Sequence, residues 1–217
     1  MARAPDKEAL IIGGPAGQLE GLLEMPPGNA LADEAVHAVA ILCHPHPQFQ
    51  GTMHNKVVHT LARAMNDLNV AALRFNFRGV GTSDGGYADG IGEIADVAAV
   101  AAYARQRWPA AELWLAGFSF GAVVAVRAAA SLQPVRLISI APAVNILGQE
   151  LTVQPTMPWL LIQGDADDVV PAGDVIEWVN SLSSGPDLIV MPGVGHFFHG
   201  HLVQLRETLV SALGKFE

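Results

Sequence analysis

From Val36 onward the chain alternates short, almost wholly apolar runs with longer segments of helical periodicity, and this alternation constrains the fold more than any other feature. "VHAVAILC", "VAALRFNF", "ELWLAGF", "VRLISIAPA", "PWLLIQGD" and "PDLIVMPG" read as strands. Most lack the polar-apolar alternation of a half-exposed sheet, so they are expected to be buried on both faces. Between them lie "HNKVVHTLARAMNDLN", with Val57, Leu61, Met65 and Leu68 at helical spacing and Asn69 to terminate it, and the Ala-rich "GEIADVAAVAAYARQRW", stopped at Pro109. "SFGAVVAVRAAASL", "AGDVIEWVNSL" and "HLVQLRETLVSALGKF" are the later helices. Strands alternating with helices predict a mainly parallel sheet covered on both faces. Ahead of this pattern, "EALIIG" and "GQLEGLLEMP" read as two strands of a hairpin joined by a Gly-Pro turn. Neither a repeat nor a linker divides the chain, so residues 1–217 are expected to form a single domain.

Composition excludes several classes of function. Hydrophobic residues make up 51% of the 217 and charged residues 15%, a balance that demands a large core. A formal net charge of −9 without any basic run argues against nucleic acid as partner. The apolar stretches are interrupted by Arg127, Gly or Pro, so no membrane span is expected, and "MARAPDKEALII" lacks the pattern of a signal peptide. Cys43 is the only cysteine, which rules out an intrachain disulfide and fits a cytoplasmic protein. At the end of an apolar run it reads as a small buried hydrophobe.

The chemistry concentrates at "LWLAGFSFGAVVAV". A strand runs into Gly117-Phe118-Ser119-Phe120-Gly121 and a helix follows at once, the G-x-S-x-G pattern that presents a serine hydroxyl on a tight strand-to-helix turn. On its own such a turn is equally a glycine-rich connection whose serine caps the helix. A serine nucleophile needs a base, and the base needs an acid to hold its tautomer. Both types of residue occur downstream, each just past a strand. "GDADDVVP" offers Asp165, Asp167 and Asp168, and "PGVGHFFHG" offers His196.

These motifs and their order resemble the α/β-hydrolase superfamily over nearly the whole chain. "GFSFG" is similar to its nucleophile elbow, "GDADDVVP" to its G-x-x-D-x-x-V-P acid loop and "GVGHFF" to its histidine loop, while "FNFRGVGTSDG" resembles its R-G-x-G-x-S turn. "HPHPQFQG" makes the small, lidless dienelactone-hydrolase-like serine hydrolases the nearest group. Cysteine is the usual nucleophile of dienelactone hydrolases proper, so their substrate is not carried over. The resemblance implies an α/β-hydrolase fold with a mostly parallel eight-stranded sheet, helices on both faces and no lid domain. Only Asn145 to Thr156 is available where a lid is usually inserted. It further implies catalytic Ser119, Asp167 and His196, no cofactor, and a small ester or thioester as substrate. A peptidase or amidase with the same triad, and a non-catalytic binding protein on the same fold, remain alternatives; the oligomeric state is not legible.

The loop "HPHPQFQG" has three readings to choose among: a metal site, a stiff connecting segment, or a backbone device for a reaction whose other parts lie elsewhere. His44 and His46, with His196, His199 and His201, invite a metal site, but residues at i and i+2 of an extended segment face opposite ways and no zinc-type spacing is present. An oxyanion loop is the better reading. One donor N–H would be that of Phe120, after the nucleophile. Pro45 and Pro47 have no N–H to give, which leaves the amide of His46, or next that of Gln48. Among the remaining residues, Arg78 and Asp84 are expected to hold their turn, Asn55 and Lys56 to begin a solvated helix, and His199 and His201 to cap the last helix or lie on the surface. Phe49, Phe118, Phe120, Phe197 and Phe198 flank the site as core or as pocket lining.

Overall fold

The computed structural model describes residues 6–27, 36–145 and 154–214. Strands β1 (Lys7–Gly14) and β2 (Gly17–Glu24) form the expected antiparallel hairpin. There follow β3 (Ala38–Cys43), α1 (Lys56–Asp67), β4 (Ala71–Phe75), α2 (Gly92–Arg107), β5 (Glu112–Phe118), α3 (Phe120–Leu132), β6 (Arg136–Ile140), β7 (Trp159–Gly164), α4 (Ala172–Ser181), β8 (Asp187–Met191) and α5 (Leu202–Leu213). The eight strands form one sheet in the order β1-β2-β4-β3-β5-β6-β7-β8, antiparallel through β2–β4 and parallel from β4 onward.

Apart from β8, which is half-exposed, the apolar runs are buried on both faces because successive side chains point to opposite sides of a strand. In β3, Val39, Ile41 and Cys43 enter the core beneath α2, α3 and α4, while Ala38, Ala40 and Leu42 enter the core beneath α1 and α5. β5 and β7 divide in the same way, with Leu113, Leu115, Trp159 and Leu161 on the first side and Trp114, Ala116, Phe118, Leu160 and Ile162 on the second. Helix α1 starts at Asn55, whose side chain accepts from the Val57 N–H at 2.8 Å, and ends where Asn69 takes a left-handed conformation (φ 59°). The expectation of a short β6–β7 connection falls largely on residues 146–153, outside the described residues.

Every parallel strand ends at the same edge of the sheet, so the loops after β3, β5, β7 and β8 meet there. Arg78 does not act within its own turn alone. Its guanidinium makes a buried ion pair with Asp96 of α2 at 2.7 Å, tying that turn to the helix. Asp84 binds the turn to the hairpin, its Oδ2 accepting from the Gln18 N–H at 2.7 Å.

Candidate active site

Ser119 sits on the β5–α3 turn with φ 55° and ψ −118°, a conformation costing a non-glycine residue roughly 1–3 kcal/mol. The surrounding backbone imposes it. The Ser119 N–H donates to the Ile140 carbonyl at 2.9 Å, and its carbonyl accepts from Ala122 and Ala143. The two glycines of the motif are required by contact. A Cβ at Gly117 would lie 2.3 Å from the Gly121 carbonyl oxygen, and one at Gly121 would lie 2.4 Å from that of His44. The Ser119 side chain makes no capping bond to the helix, so the N-cap reading fails.

His196 Nε2 lies 3.1 Å from Ser119 Oγ, and His196 Nδ1 lies 2.8 Å from Asp167 Oδ2. The structure thus brings together the three residues singled out in the sequence, all buried. Asp167 Oδ1 accepts from the N–H groups of Val169 (2.9 Å) and Val170 (2.7 Å). Burial works to raise the Asp167 pKa, but the bonds from His196, Val170 and Val169 outweigh it and hold the carboxyl below its ordinary value. Asp165 and Asp168 are exposed. Asp165 shapes the turn as expected, its Oδ1 accepting from the Gly193 N–H at 2.6 Å.

The acid and histidine loops are laced together. Asp165 donates its N–H to Met191 and Ala166 to Val194, each at 3.1 Å, beside the Gly193–Asp165 bond. A Cβ at Gly164 would strike the Val194 carbonyl at 2.1 Å, so that glycine permits the close approach. Sequence reasoning missed Gln163, which is fully buried on β7. Its amide donates to Asp167 Oδ2 at 3.0 Å and to the Val170 carbonyl at 3.1 Å. The available signal was a lone polar residue within "PWLLIQG".

In the loop after β3, His44 is buried, its Nε2 accepting from the Phe77 N–H at 3.1 Å. The ring proton therefore sits on Nδ1 and donates to the Pro45 carbonyl at 2.6 Å. Burial lowers its pKa to about 4, against the bond to Pro45, and keeps the ring neutral. His46 Nδ1 accepts from the Gln48 N–H at 3.2 Å. Among the described residues, the backbone N–H groups of His46 and Phe120 have no partner. The His46 ring packs on Phe49, Tyr87 and Phe120, while Phe118 and Phe197 flank His196. His199 is exposed, and His201 occupies the α5 cap position but bonds the Gln204 side chain rather than the helix backbone. No three His, Cys, Asp or Glu side chains among the described residues are grouped to hold a metal ion, and no helix among them is long and apolar enough to cross a membrane.

A mostly parallel eight-stranded sheet that turns sharply at a serine, with an acid and a histidine after its last two strands, defines an α/β serine hydrolase. The chain belongs to the family described as serine aminopeptidase, S33, whose model matches residues 36–157, a span that holds His46, Ser119 and Phe120 and stops before Asp167 and His196. It is 34% identical over 195 residues to an uncharacterized protein of Rickettsia prowazekii, covering 85% of this chain and 79% of that one. Among solved structures it is similar to a Xanthomonas campestris protein described as an α/β serine hydrolase without lid (43% identity, TM-score 0.89, covering 97% of this chain and 95% of that one). It is also similar to an α/β serine hydrolase homologue from Coxiella burnetii (45%, TM-score 0.88, 95% and 97%). The chain is a hydrolase of this lidless kind.

Proposed function

We propose that the protein is a carboxylesterase-like serine hydrolase that cleaves small esters or thioesters through an acyl-enzyme. The observation that carries this reading is the His196 imidazole spanning Ser119 Oγ and Asp167 Oδ2. Ser119 Oγ bonds to the substrate carbonyl carbon while its proton passes to His196 Nε2. The charge on the former carbonyl oxygen is met by the Phe120 and His46 amides. His46 is favoured over Gln48 because the Gln48 N–H is already taken by the His46 ring. The intermediate collapses, the bond to the leaving oxygen or sulfur breaks with its electron pair, and that atom takes the proton from His196. Water then adds to the acyl-enzyme, losing its proton to His196, and the acid departs as Ser119 regains a proton. Asp167 holds the imidazole tautomer throughout. The route calls for no cofactor, and we place it in the cytoplasm, where the buried Cys43, its thiol pKa pushed up by burial, stays reduced.

The test combines labelling with a substrate series. A fluorophosphonate probe is expected to label the wild type and to fail on Ser119→Ala; an unlabelled wild type means a binding protein without turnover. Esters graded by acyl length, assayed beside thioesters and peptide amides, separate esterase from amidase. Amide turnover exceeding ester turnover would replace this reading.

A further inference from the structure

The leaving group must pass beside His196, since His196 Nε2 returns a proton to it. The surface there is hollow. A cleft of about 280 Å³ is lined by Thr52, His54, Asn55, Lys56, Val57, Phe197 and His199. It begins one ring away from the reacting imidazole. The Phe197 ring lies 5.0 Å from that of His196 and stacks on that of His199 at 5.8 Å.

The charge of this lining runs against that of the chain. The sequence holds 21 Asp and Glu against 12 Lys and Arg, yet no carboxylate lines the cleft, and Lys56 and two histidines do. Elsewhere Lys7, Arg74, Arg78, Arg107 and Arg206 are each paired with a carboxylate. Among the described residues the Lys56 ammonium has no such partner. Glu20, which lies within electrostatic reach of His54, is held by the Thr82 N–H and the Asn76 amide. An unpaired lysine on the lining of a hollow next to His196 is a receptor for negative charge.

Resting on the acyl-enzyme reading above, we infer that the substrate's leaving group carries an anionic substituent, carboxylate or phosphate, seated in this cleft against Lys56 with His54 and His199 at its sides. The leaving alcohol or thiol occupies the cleft while its oxygen or sulfur stays at His196 Nε2.

The experiment compares acetate esters of one phenol bearing a carboxylate, a phosphate or a neutral amide at the far ring position. An additional ester carries its carboxylate on the acyl side. The ratio of kcat/KM for each anionic-leaving-group ester over its neutral partner is measured in the wild type and in Lys56→Gln. Losing one charge contact about 4 Å long in water is expected to lower that ratio about fivefold, with Lys56→Glu lowering it further. Salt is expected to erode the wild-type ratio as screening shortens from ~30 Å at 0.01 M to ~3 Å at 1 M. The acyl-side carboxylate is expected to gain nothing from Lys56. A ratio unchanged by both substitutions, in enzyme that still labels at Ser119, overturns the anion site and leaves the esterase reading standing. A wild type that neither labels nor hydrolyses any ester removes both.

Discussion

Gln163 and His196 donate to the same oxygen, Oδ2 of Asp167, at 3.0 Å and 2.8 Å. The Gln163 amide also holds the Val170 carbonyl, so it closes the loop that carries the acid from inside the sheet. Replacing it with leucine leaves a buried carbonyl and one carboxylate site unsatisfied, each worth about 1–3 kcal/mol, although the unpartnered Gln163 Oε1 disappears as well. Gln163→Leu is expected to lower kcat on the order of tenfold with KM little changed, and to lower Tm. Gln163→Glu, which sets a second carboxylate against Asp167, is expected to be worse above neutral pH than at pH 5. Steady-state kinetics at both pH values check this.

The three aspartates of the acid loop differ in what they touch. Asp167→Asn keeps shape but cannot hold the proton on His196 Nδ1, and the equivalent change in a serine protease costs about 10⁴ in kcat. A loss on the order of 10³–10⁴ with little change in melting is expected. Asp165→Asn retains an oxygen for the Gly193 N–H, and Asp168 is exposed; both amides are expected to stay within about tenfold of wild type. An inactive, well-folded Asp168→Asn beside an active Asp167→Asn would reverse the assignment.

His44 makes stability depend on pH. Its folded pKa of about 4 lies below the ordinary histidine value of 6.5. Between those values the unfolded chain binds a proton that the folded chain refuses, so stability falls as pH drops from 6.5 to 4 and is fully present above 6.5. The whole window amounts to about 3 kcal/mol. Below it, protonation of Asp167, whose pKa is depressed, removes further stability. Urea unfolding between pH 4 and 7 is expected to show this slope, and His44→Gln is expected to flatten it.

A lidless site has nothing to open at an interface. Hydrolysis of a sparingly soluble ester is expected to rise smoothly through its solubility limit, and an abrupt increase in rate there would contradict the open site.

The order and type of the elements were legible because each apolar run is long enough and flanked clearly enough to separate strand from helix. That Ser119, Asp167 and His196 would lie together was readable from the turns that carry them, and at Ser119 the motif's glycines encode backbone geometry, as the 2.3 Å and 2.4 Å approaches at Gly117 and Gly121 show. What stayed hidden depends on distance through space. Arg78 meets Asp96 eighteen positions on, and a buried glutamine in a strand gives no hint of which carboxylate it faces. Proposing His46 over Gln48 as oxyanion donor rests on one side-chain bond that the sequence does not announce, from the Gln48 N–H to the His46 ring. The half-exposed character of β8 was also invisible, since "PDLIVM" reads as apolar as the central strands.

Among the described residues, that last strand has an unpaired outer edge. β8 ends the sheet beside β7, and His196 follows its end, whereas Ser119 follows a central strand. Opening energies within one protein range from near zero at frayed margins up to the global value. The proposed base is therefore fastened to the margin and the proposed nucleophile to the middle. Partial detachment of β8 would silence the enzyme while circular dichroism and tryptophan emission still register a folded molecule. Amide exchange in β8 faster than in β5, with activity vanishing at lower urea than ellipticity, is the expected signature. For such a hydrolase, inactivation is expected to be a peeling event rather than a melting one.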